Sequence, residues 1–109
     1  MSEIDPNRVV DFMVSNAVKF AQAKANRVYL EEFRKSKKAL LMAECTEKAA
    51  NAREQYAYSH PEYIQLLEGL REAVQVEEEL RWRQVAAQLR VEVWRSREAS
   101  NRAQDRVTR

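Results

Sequence analysis

Glycine and proline interrupt regular backbone more readily than any other residues, and this chain of 109 residues contains one glycine and two prolines. Charged residues make up 33% of it, and apolar residues recur at three- and four-residue steps, so the sequence predicts long amphipathic helices. Pro61 stands beside the only convincing turn signal. The expected fold is all-α: an elongated helical hairpin of two long arms within a single domain, residues 1–109, oligomerising through coiled-coil-like contacts.

Asp5-Pro6 reads as an N-cap followed by proline at the first helical position, where a missing N–H costs nothing. A first arm is expected over 5–58. Its apolar stripe runs through Val14, Val18, Ala21, Ala25 and Val28 and continues at Phe33, Leu40 and Leu41; Ser15-Asn16 and Asn26 are the positions where a new helix could start. Ser59-His60-Pro61-Glu62 has the S-x-x-E form of a capping box and sets the turn at 59–62. The second arm, 63–98, carries Tyr63, Leu66, Leu67, Leu70, Ala73, Val74, Leu80, Ala87, Val91 and Trp94, with Gly69 inside the helix. Residues 99–109 lose strong apolar side chains and form a basic tail expected to fray or await a ligand. A two-helix hairpin of this size leaves apolar surface uncovered, so a homo-oligomer using Leu70, Leu80 and Trp94 is expected.

The net charge of +2 hides a segmented pattern: −1 over 1–33, +3 over 34–58, −5 over 59–79 and +5 over 80–109. Basic zones flanking an acidic one suit an anionic partner and also charge pairing between helices or subunits. No run approaches the ~20 apolar residues of a membrane span, and Glu3 and Asp5 stand where a secretory leader would be basic, so a cytoplasmic, membrane-free location is expected. The single cysteine, Cys45, cannot form an internal disulfide and fits a reducing compartment.

The inventory for catalysis is poor. Nothing in the spacing brings Cys45 to His60, and no glycine-rich loop is present. Glu77-Glu78-Glu79 points in three directions on a helix and lacks a histidine at i+3 or i+4, so no metal site, cofactor or enzymatic activity is expected.

Binding has stronger signals. Arg34, Lys35, Lys37 and Lys38 place four cations within five residues, and Lys48 and Arg53 extend the basic zone toward Tyr56 and Tyr58. In the second arm Arg83, Arg90, Trp94 and Arg97 interleave an aromatic with guanidinium groups at helical steps, the pairing of phosphate neutralisation and base stacking that single strands require. Arg95, Arg102, Arg106 and Arg109 prolong the positive charge into the tail.

From about Val18 to Arg106 the order of features resembles the phage UvsY family of recombination mediators: a helical segment, a basic region, a short basic-aromatic motif, a turn, and a second helix carrying Leu80-Arg81-Trp82. The closest local likeness is Lys48-Ala49-Ala50-Asn51-Ala52-Arg53-Glu54-Gln55-Tyr56, against a pattern of basic residue, Ala, Arg, two variable residues and paired Tyr. Asn51 stands where that pattern is basic, and Ala57 separates Tyr56 from Tyr58. The resemblance implies a small helical oligomer that binds single-stranded DNA and helps a recombinase displace single-strand binding protein. The rival expectation is a helical phage assembly or inhibitor protein that acts only through protein contacts.

Overall fold

A computed structural model describes residues 4–108, which form three α-helices and no strand: α1 (Pro6–Glu44), α2 (Ala50–Ser59) and α3 (Pro61–Thr108). Glu3 and Arg109, which entered the sequence reading, lie outside the described residues. The chain divides into two compact units, one of residues 4–20 with 79–108 and one of residues 21–78.

Local signals explain where α1 begins. The Asp5 carboxylate accepts the N–H of Asn7 at 2.9 Å and its carbonyl accepts that of Val9 at 3.2 Å, an N-cap with Pro6 in the first turn. The helix then runs unbroken through Ser15-Asn16 and Asn26.

The first arm is not continuous to residue 58. It ends at Glu44, and residues 45–49 connect it to α2. The Cys45 N–H folds back onto the Met42 carbonyl at 3.2 Å, and the Arg53 Nε–H donates to that same oxygen at 3.2 Å. A carbonyl left without its helical partner is thereby satisfied from eleven residues downstream, which is why the break needs neither glycine nor proline.

The capping box at 59–62 does not form. The Ser59 hydroxyl turns back to the Gln55 carbonyl at 2.7 Å and finishes α2. His60 performs the cap: its Nδ1 accepts the Glu62 N–H at 3.1 Å, and its carbonyl accepts Tyr63 and Ile64. The reversal of direction occupies residues 45–60, with a helix inside it, instead of a four-residue turn.

In the unit of residues 21–78, Leu41, Ala57 and Tyr63 form the core, one from each helix, with Met42 packed against them. Burying a leucine side chain as fully as Leu41 contributes roughly 1.5–3 kcal/mol, which matters for α2, since ten residues are too few for a helix to persist alone. Farther along α1 the covered positions include Ala23, Arg27, Leu30, Arg34 and Lys37, with Glu31, Phe33 and Lys38 half-buried beside them, and along α3 they include Leu66, Leu70, Ala73 and Glu77. In the unit of residues 4–20 and 79–108 they are Val9, Met13, Asn16 and Phe20 on α1, and Leu80, Gln84, Ala87, Val91, Trp94 and Glu98 on α3. Alternating steps of three and four, the heptad spacing of packed helices, recur in both units.

The stripe expected on α1 holds at its end, where Leu41 is fully buried and Phe33 half-buried, but not at Leu40 or along its first part. Val14, Val18 and Val28 are 66%, 58% and 42% exposed, and Ala21 and Ala25 are exposed as well. The covered face is richer in polar groups because those groups satisfy one another across the helices. Asn16 Nδ2 donates to the Leu80 carbonyl at 3.0 Å and to Gln84 Oε1 at 2.9 Å, while Gln84 Nε2 donates to the Met13 carbonyl at 3.2 Å. Residues 99–108, expected to fray, are helical to Thr108 and exposed throughout.

Candidate nucleic-acid interface

The helical break and α2 bring the first basic zone against acidic side chains of the same chain. Lys37 Nζ lies 2.8 Å from Glu62 Oε2, Lys38 Nζ lies 3.4 Å from Glu54 Oε1, and Lys35 Nζ lies 3.3 Å from Glu32 Oε2. Lys38 also sits over the Tyr58 ring, 4.7 Å from its centroid. The Tyr58 side chain, and secondarily Glu54, holds the Lys38 ammonium above its ordinary pKa, and the hydrogen bond from Lys37 holds the Glu62 carboxyl below its own.

Arg53 is occupied in part by the α1 carboxyl end, Arg34 is half-buried, and Lys48 is exposed in the 45–49 connection. Tyr56 meets the His60 ring edge-on at 5.6 Å, and Tyr58 meets Tyr63 at 5.4 Å. Tyr56 and Tyr58 are nonetheless 38% and 47% exposed, so each keeps a surface free for contact. The cluster thus exists in space, but the charge of its three lysines is largely answered within the chain.

The second basic track has a different setting. Arg83, Arg90 and Arg97 are exposed at seven-residue intervals, about 10.5 Å apart along α3, while Trp94 is half-buried and turned toward the covered face. Leu80, at 9% exposure, is spent inside the unit, and Leu70 is half-buried, so neither offers an open apolar surface.

Sequence reasoning missed two residues of this region. Arg8 and Phe12, on the first turns of α1, join Arg83 and Arg90 in lining a groove of about 370 Å³, floored by Val9, Ala86 and Ala87. None of the residues lining it is acidic. Phe12 is 43% exposed, and Arg8 lies 3.9 Å from the Asp5 carboxylate. Three guanidinium groups around an apolar floor with an accessible aromatic ring can hold phosphate oxygens and an unstacked base together. Only the pairing of α1 with α3 creates this groove, so no local motif announces it.

Among the described residues no cluster of His, Cys, Asp or Glu is placed to hold a metal ion, and no helix is long and apolar enough to cross a membrane. Comparison with protein-family models, curated proteins and solved structures gives no match.

Proposed function

We propose that this chain is a non-enzymatic single-stranded DNA-binding protein, working as a recombination mediator that helps load a recombinase in place of single-strand binding protein. The observation that carries the binding reading is the groove bounded by Arg8, Arg83 and Arg90, which combines three cations with the exposed Phe12 ring and has no acidic lining. The mediator role is what the resemblance of the basic-aromatic segment implies. Arg97 continues the cationic row beyond the groove. Arg34, Lys48 and the paired lysines contribute long-range attraction, because exposed ion pairs of this kind are worth only about 0–1 kcal/mol and exchange readily for phosphate.

The test is binding of a short fluorescent oligonucleotide across a salt series, single-stranded beside duplex. Arg83→Ala with Arg90→Ala should lessen the single-strand salt slope by roughly 1.4, at about 0.7 per phosphate contact. Phe12→Ala should weaken binding at every salt concentration without altering the slope. If joint replacement of Lys35, Lys37 and Lys38 changes the slope more than the arginine pair does, the site belongs to that cluster. The internal pairing of those lysines favours the second reading, a protein that acts through protein contacts alone, and failure of the intact chain to bind single strands would establish it over the first.

A further inference from the structure

Beside its covered face, α3 presents a second, exposed seam, at whose start the Arg81 guanidinium lies over the Trp82 ring, 5.4 Å from its centroid. Trp82, Leu89, Val93 and Val107 are 59%, 56%, 50% and 84% exposed. Ala86, Ser96, Ser100 and Ala103, also exposed, fill the places between them, so the whole series steps by alternating fours and threes. No charged residue enters it, although this part of the helix is the most basic in the chain. The seam extends over about 39 Å at 1.5 Å per residue, and its last third lies on residues 99–108, where α3 buries nothing. Grooves of about 510 and 530 Å³ flank Leu89 and Val93 and supply recesses for incoming side chains.

We propose that this seam pairs with the same seam of a second copy of the chain, parallel and in register. The flanking charges select both occupant and direction. One flank carries Arg83, Arg90, Arg97 and Gln104; the other carries Val85, Glu92, Ala99 and, at its end, Arg106. In a parallel pair each residue on one flank meets the partner's opposite flank five positions on, which sets Glu92 against the partner's Arg97, twice by symmetry, and Val85 against the partner's Arg90. An antiparallel pair would instead set the arginine flank against itself, placing like charges along the whole contact. The parallel arrangement is therefore the one this sequence encodes, and it leaves Arg90 facing the partner's uncharged Val85. The proposal is independent of DNA binding.

The test uses the full chain with Cys45→Ser, so that introduced cysteines are the only thiols. Mass measurement by light scattering at micromolar concentration should give twice the chain mass. Ser96→Cys and Ala103→Cys, made separately, should each form a disulfide between like residues under mild oxidation. An antiparallel pair can place only one of the two near its axis. Leu89→Glu should return the protein to a monomer with unchanged helical circular dichroism, since Leu89 is exposed in the single chain. Glu92→Arg should weaken association about tenfold by setting arginine against arginine, and adding Arg97→Glu should restore it. A wild-type monomer, a cross-link at only one of the two positions or at neither, or a dimer indifferent to Leu89→Glu would overturn the proposal.

Discussion

Arg27 meets Glu77 with two parallel hydrogen bonds, Nε to Oε2 at 2.6 Å and Nη2 to Oε1 at 3.0 Å, on the covered faces of α1 and α3. Glu77 is 8% exposed, and Arg27 also reaches Glu31 at 3.0 Å. The hydrogen bond to Glu77 is the leading cause that raises the Arg27 guanidinium above its ordinary pKa. Such a pair contributes little against a well-packed apolar replacement, but losing one member strands the other. Glu77→Leu or Arg27→Leu alone should lower the melting temperature, whereas the double replacement should recover most or all of the loss. A double-mutant cycle by thermal denaturation measures this, and additive losses would contradict it.

Asn16 should behave as a register pin. Asn16→Ala leaves Gln84 Oε1 without its donor and should cost about 1–3 kcal/mol of unfolding free energy in urea. Replacing Asn16 and Gln84 together with leucine should recover that stability and relax the specificity of helix pairing, since a polar pair in a seam fixes alignment at some expense in stability. Broadened amide spectra in the double variant are the expected sign.

Acid should loosen the unit of residues 21–78 through Glu62. Its carboxyl pKa is depressed in the folded state by Lys37, so its contribution is present above the unfolded glutamate value and disappears as pH falls through the folded value. The stability difference between wild type and Glu62→Gln should be largest near neutrality, begin to shrink as pH falls toward the unfolded glutamate value of about 4.3, and vanish only below the depressed folded value. A difference that persists into acid would contradict the assignment.

Gly69 lies within α3 at a non-positive φ, and a β-carbon there would meet nothing within 4 Å. Gly69→Ala should therefore stabilise by about 0.4–1 kcal/mol, because the unfolded chain loses freedom while the folded one gains no clash. Chemical denaturation measures it directly.

Much of the helical content could be read from the sequence because its signals are local: Asp5 caps, Pro6 starts α1, and scarce breakers keep the helices long. Choosing the inner face of α1 was a different problem. Val14, Val18, Ala21, Ala25 and Val28 share the same spacing as Val9, Met13, Asn16, Phe20 and Ala23, and hydropathy selects the former because Asn16 and Arg27 look like surface residues until Gln84 and Glu77 are brought opposite. The break after Glu44 was hidden for the same reason, since it depends on Arg53 reaching back to Met42. The aromatic-arginine row was visible, but Arg8 and Phe12 join it only through pairing with α3.

The reversal through α2 also sets an order of events in time. Lys37 and Glu62 are separated by 25 residues along the chain, Arg27 and Glu77 by 50, and Asn16 and Gln84 by 68. Each longer span costs more chain entropy to close unless the shorter one is already made, so folding should proceed as a zipper from the Leu41, Ala57 and Tyr63 core outward. Truncating Leu41 should slow refolding, while changes at Asn16 should chiefly hasten unfolding. Stopped-flow measurements on the two variants would read that sequence of closure, in which the end bearing Arg8 and Phe12 is the last to form.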